Sequence, residues 1–200
     1  MGGSTHLVIG ASVAVLAARP SSTSELIIAT AVGAAGGLLA DIDTDNSKAA
    51  HVVRTGLFAL TAGVGFILYK NGSVGAEIYD FIKRYILVNL NSAQIIAACA
   101  FMALLFIGTF QKHRHLTHST EYALGISVSV YFMNPALALP MFAAMMSHMI
   151  LDVFNYKAVL ISYLFNFRIC FKLCKSQGSI NGLLSMCGGL LYGLALYTVL

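Results

Sequence analysis

The sequence predicts an all-α fold, a polytopic bundle of about six or seven membrane-spanning helices with one or two interfacial helices along the bilayer surface. Three observations carry this expectation. Only 10% of the 200 residues are charged and 58% are hydrophobic, against roughly 25% charged in an ordinary soluble domain. Mean hydropathy is +0.80, and apolar runs recur along the whole length instead of gathering in one core segment. Those runs are long and do not alternate. Hydrocarbon admits only helices and closed barrels, because every backbone N–H and C=O must be paired internally, and unalternating runs select helices. So few charges cannot clothe a water-exposed surface. The net charge of +4 is not arranged as a basic stripe, which argues against a nucleic-acid partner.

Apolar runs between polar breaks predict helices near 5–19, 24–40, 50–70, 93–111, 116–133, 136–154 and 180–200. The breaks carry turn chemistry: Arg19-Pro20-Ser21-Ser22, Asn71-Gly72-Ser73, Asn89 to Ser92, Asn134-Pro135 and Ser176-Gln177-Gly178. The run Leu7 to Ala18 lacks a basic region before it and is followed by Arg19-Pro20, so it reads as a retained helix and not a signal peptide. In 77–90, Glu77, Asp80, Lys83 and Arg84 share one helical face and Ile78, Phe81, Ile82 and Tyr85 the other, the pattern of an interfacial helix. Residues 157–175 place Lys157, Arg168, Lys172 and Lys175 among aromatics and predict a second surface segment before the last span. No composition shift or repeat divides the chain, so residues 1–200 are expected to form a single domain. Cys99, Cys170, Cys174 and Cys187 form no CxxC pair and read as inert thiols.

Following the chain across the bilayer brings the conspicuous polar groups out on one side. His6 opens the first span, Asp41 and Asp43 close the second, residues 113–118 join two later spans, and Asp152 ends another with His148 one turn inside it. The same side carries Lys48, Arg54, Lys112, Arg114, Lys157, Arg168, Lys172 and Lys175, against Arg19, Lys70, Lys83 and Arg84 opposite. The positive-inside rule makes that side cytoplasmic. The 15 residues from Leu26 to Ala40 rise only about 22 Å, less than a hydrocarbon core of about 30 Å. A site at their end is recessed, which suits a substrate arriving from the lipid.

Asp41-Ile42-Asp43-Thr44-Asp45 follows a helix containing Gly33, Gly36 and Gly37, small residues that let helices pack closely. Acids at a helix C-terminus oppose the macrodipole unless a cation offsets them. A solvated loop is the alternative, and Asp45 fits it best. Lys112-His113-Arg114-His115-Leu116-Thr117-His118-Ser119 concentrates imidazoles, the commonest metal ligands, with a guanidinium suited to phosphate; a basic interfacial anchor is the alternative. His148 and Asp152 stand i,i+4 on one helical face, and such residues inside a membrane mark function unless they merely pair between helices. His6 alone would read as a cap-region residue, and His51 matches nothing.

Together His6, Asp41, Asp43, His113, His118, His148 and Asp152 make seven N/O ligands, more than one four-coordinate ion needs. The set suits two divalent ions, as zinc, manganese or iron, and two ions can clamp both oxygens of a phosphoryl displacement. Arg114 is then assigned to the phosphate, with Thr117 and Ser119 as supporting hydrogen-bond donors.

Thr5-His6, Gly37-Leu38-Leu39-Ala40-Asp41-Ile42-Asp43 with Ser47, His113-Arg114 with Thr117-His118-Ser119, and Ser147-His148 with Asp152 resemble the YdjM-like family, described as LexA-binding, inner-membrane-associated metal-dependent hydrolases. The resemblance spans about residues 5 to 175. It departs at Ala40, where the family usually has Pro, and at His115, where it has Gly; His115 is therefore left out of the core set. The resemblance implies a metal-dependent hydrolase of the bacterial inner membrane and names no substrate.

The leading expectation is phosphoester hydrolysis on a membrane lipid or isoprenoid phosphate, with self-association into a homo-oligomer open. The alternatives are a metal-ion transporter, which needs polar residues continuing to the far side, and a regulatory membrane protein that keeps metal for structure alone. The HxxxD of His148 and Asp152 is also found in phosphatidic-acid-type phosphatases, but their other motifs are absent.

Overall fold

The computed structural model describes residues 2–44, 51–52, 55–56, 91–175 and 178–199. Within them the chain forms α1 (Gly3–Ala18), α2 (Thr23–Leu39), a 3-10 turn (Ala40–Asp43), α3 (Ser92–Thr109), a 3-10 turn (Leu116–His118), α4 (Thr120–Met133), α5 (Pro135–Val153), a hairpin of β1 (Val159–Ser162) and β2 (Phe167–Ile169), and α6 (Ser179–Val199). Four helical segments among the described residues are long and apolar enough to cross a membrane: Thr23–Asp43, Ser92–Thr109, Pro135–Val153 and Ser179–Tyr197. At 16 and 14 residues, α1 and α4 rise only about 24 and 21 Å. Apart from residues 51–52 and 55–56, the expected span at 50–70 lies outside the described residues, as do the interfacial helix at 77–90 and Asp45, Lys48, Arg54, Lys70, Lys83 and Arg84.

Three of the predicted breaks supply caps. Arg19 adopts a left-handed φ of 48° and ends α1. Ser22 accepts the Glu25 N–H at the start of α2. Asn91 and Gln94 form a reciprocal capping box on α3, and Asn134 with Pro135 starts α5. Ser22, Asn91 and Asn134 accept N–H groups that a helix cannot pair with itself.

α1 lies at the centre, packed on α2, α5 and α6; α5 also meets α2 and α4, and α4 meets α3. Close approach of α1 and α2 depends on glycine. A Cβ at Gly10 would lie 2.6 Å from the Gly33 carbonyl oxygen and 2.9 Å from the Gly37 Cα, so only hydrogen fits there. The main core joins Leu39, Ile42, Leu105, Tyr122, Ile126, Met141, Met145 and Met149 from four helices and a turn. α6 is peripheral and is tied to α1 and α2 by polar groups. The Asn181 Oδ1 accepts the Gly2 N–H and the Thr5 hydroxyl, each at 2.9 Å, the Ser12 hydroxyl donates to the Gly188 carbonyl, and Thr30 meets the Tyr192 hydroxyl at 2.8 Å.

The predicted surface segment at 157–175 is a β-hairpin and not a helix. Val159 pairs antiparallel with Ile169 and Leu160 with Arg168, and Asn166 takes the left-handed φ of 49° at the turn. Its β-branched and aromatic residues favour extended pairing over a helical face.

Candidate metal centre

Five side chains from four separate stretches meet at one end of the bundle. His6 comes from the first turn of α1, Asp41 from the 3-10 turn after α2, His118 from the turn before α4, and His148 and Asp152 from the last turns of α5. The His6 Nε2 lies 3.3 Å from the Asp152 Oδ1. The His118 Nε2 lies 3.6 Å from the Asp152 Oδ2 and 3.7 Å from the Asp41 Oδ1. The His148 Nε2 lies 3.6 Å from the Asp41 Oδ1 and 3.9 Å from the Asp152 Oδ2. The rings of His6 and His148 stack at 3.6 Å. All three imidazoles are buried to 1% exposure or less.

These spacings fit a cation. Ligands about 2.1 Å from a common ion stand roughly 3–3.5 Å from one another, close to the separations observed. The Nε2 atoms of His6, His118 and His148 are buried without a hydrogen-bond partner, and each such atom costs about 1–3 kcal/mol if nothing satisfies it. The tautomers suit ligation too. His148 donates its Nδ1–H to the Gly37 carbonyl at 2.7 Å, so its Nε2 lone pair faces the carboxylates. Three groupings can hold a divalent cation: His6, Asp41 and His148; Asp41, His113 and His118; and His118, His148 and Asp152. Asp41, His118 and His148 are each shared by two of them.

Asp43, also among the expected ligands, takes hydrogen bonds beside the cluster. No cation-capable grouping among the described residues includes it, because the 3-10 turn sends Asp41 and Asp43 in different directions. Asp43 stands behind His118. It accepts the Thr117 hydroxyl at 2.6 Å, the Arg114 backbone N–H at 3.1 Å and His113 at 2.9 Å. Thr117 in turn lies 3.2 Å from the His118 Nδ1. A carboxylate behind a ligating imidazole fixes its orientation and raises its basicity. Arg114, at a left-handed φ of 63°, places one guanidinium nitrogen 3.1 Å from the Asp152 Oδ2 and another on the Lys157 carbonyl. Ser119 is committed elsewhere, donating to the Leu116 carbonyl and capping α4 at Tyr122. His115 packs edge-on against Tyr163, away from the cluster, and His51 is exposed.

Asn155 belongs to the centre without having been foreseen. Its Nδ2–H donates to the Asp152 Oδ1 at 2.7 Å. The only sequence signal was its position three residues after Asp152, at the helix end. A cleft of about 660 Å³ opens on this cluster, lined by Asp41, Arg114, Asp152, Asn155, Lys157 and Lys175 among others.

Burial alone would push the His118 imidazole down, but the carboxylates of Asp152, Asp43 and Asp41 together raise it to about 9. In the metal-free protein its charge therefore stabilises the fold fully below the ordinary value near 6.5, and that contribution is lost as pH rises through about 9. A cation must displace the same proton. Metal affinity is expected to fall about tenfold per pH unit on acidification through the neutral range, with a proton released on uptake. Titration against a competing chelator at several pH values checks this, and a flat profile would contradict it.

The fold and this cluster define a helical membrane protein with a buried histidine–carboxylate centre suited to a divalent cation. The profile of the YdjM inner membrane protein family matches residues 1–199, and the chain belongs to that family. No curated protein and no solved structure matches.

Proposed function

We propose that the chain is a metal-dependent hydrolase that cleaves a phosphoester on a lipid reached from the bilayer, with its centre at the cytoplasmic face. The observation that carries this reading is the trio of buried Nε2 atoms that make no hydrogen bond and face the Asp41 and Asp152 carboxylates, beside Arg114 in a cleft lined also by Lys157 and Lys175. His6, Asp41, His118, His148 and Asp152 would hold one zinc, manganese or iron ion, and His113 beside Asp41 would ligate a second. Such an ion supplies a Lewis acid for a phosphoryl oxygen. Lys157 and Lys175 attract an anionic headgroup, and Arg114 neutralises its phosphate. Asp43 and Thr117 hold His118 in register, and Asn155 holds Asp152.

Transport of the ion is less well supported. Elsewhere in the bundle, among the described residues, Ser127 and Ser129 turn their hydroxyls onto their own helix carbonyls. They offer an ion no continuous polar path.

Elemental analysis of the full chain purified in mild detergent should find near-stoichiometric divalent metal. The same protein should release phosphate from phosphatidic acid or an isoprenoid phosphate, lose that activity to a strong chelator, and regain it on metal addition. Well-folded protein free of metal would overturn the proposal, and metal without turnover on any lipid phosphate would leave a structural centre in place of an enzyme.

A further inference from the structure

The hairpin projects from the same end of the bundle as the metal centre. It begins six residues after α5 ends, and the chain that follows β2 is bonded to that helix end: the Phe171 N–H donates to the Val153 carbonyl and the Leu173 N–H to the Phe154 carbonyl. Its tip is apolar and exposed, with Leu164 at 76% and Phe165 at 84%, and Phe167, Phe171 and Leu173 are each more than half exposed. The tip is nonetheless rigidly held. Glu121, at the start of α4, accepts the Ser162 hydroxyl at 2.5 Å and the Tyr163 and Leu164 N–H groups at 3.0 and 3.3 Å. The Thr120 hydroxyl donates to the Ile161 carbonyl. A fixed scaffold that presents Leu and Phe outward needs a surface to receive them.

The charge around the tip identifies that surface. After Asp152 the sequence contains no Asp or Glu, and its charged residues up to the last helix are Lys157, Arg168, Lys172 and Lys175. Aromatic and leucine side chains among cations match the headgroup layer of an anionic leaflet. A second copy of the chain would bring like charges together.

We propose that the β1–β2 hairpin is a lipid anchor: Leu164 and Phe165 insert just below the headgroups of an anionic phospholipid leaflet, and Arg168, Lys172 and Lys175 pair with its phosphates. The two ends of the same segment, Tyr156-Lys157 and Cys174-Lys175, line the cleft, so the anchor sets the cleft opening at headgroup level. This inference stands whatever reaction the centre performs.

The chain contains no tryptophan, so Phe165→Trp installs a unique fluorophore at an exposed position in the full-length protein. In vesicles of phosphatidylcholine and phosphatidylglycerol, lipids brominated just below the headgroup should quench it at least about twofold more than lipids brominated near the chain ends. Shallow quenching should weaken when Arg168→Gln and Lys172→Gln are added. Emission quenched by aqueous acrylamide and indifferent to brominated lipid would overturn the proposal. So would protection seen only at high protein-to-lipid ratio and lost on dilution with lipid, which would make a second copy the occupant.

Discussion

Asp152→Asn is expected to weaken metal binding by about 100-fold or more and to reduce phosphate release to background, since even residues supporting a ligand cost 10–100-fold. Both oxygens of Asp152 are in use. Oδ1 accepts from Asn155 at 2.7 Å and lies 3.3 Å from the His6 Nε2, and Oδ2 lies 3.1 Å from Arg114 and 3.6 Å from the His118 Nε2. An amide has one oxygen, and its NH2 would have to face Arg114 or Asn155, both of which are donors. The substitution also removes the carboxylate paired with the partly buried Arg114 guanidinium. Metal content by elemental analysis, affinity by chelator competition and helix content by circular dichroism separate loss of the centre from loss of the fold. Unchanged metal in well-folded Asp152→Asn would reduce Asp152 to an ion-pair partner of Arg114.

Gly37→Ala is expected to destabilise the bundle by about 1–3 kcal/mol or more and to lose metal with it. A Cβ there collides with the backbone carbonyl of His6 and crowds the Gly10 Cα at 3.3 Å, so α1 must move away from α2. That movement carries off His6, and it shifts the Gly37 carbonyl that orients His148. Gly189→Ala on α6, where a Cβ meets nothing within 4 Å, is the matched control and should be neutral. Thermal loss of helical circular dichroism in detergent compares the two. Equal stability and equal metal content would show that the close contact of α1 and α2 is dispensable.

The helices are legible in the sequence because a bilayer requires long apolar runs and polar turns, and their ends shift only by residues that the caps choose. The gathering of His6, Asp41, His118, His148 and Asp152 is legible for the same reason: each stands at the polar end of an apolar run. The division of labour between Asp41 and Asp43 is not legible. They stand two residues apart in a 3-10 turn, and only its geometry sends one to the cluster and the other behind His118. Ser119 carries the same ambiguity, since a serine before a helix is equally a cap and a site donor. The hairpin escapes a reading based on runs because its residues, apolar and cationic together, fit a surface helix as well as a strand pair.

The bond from Asn181 to Thr5 and Gly2 fixes the start of α1 from the opposite end of the chain. During biosynthesis residue 181 leaves the ribosome after every other described helix has emerged. Truncation before α6 removes this clasp on the start of α1.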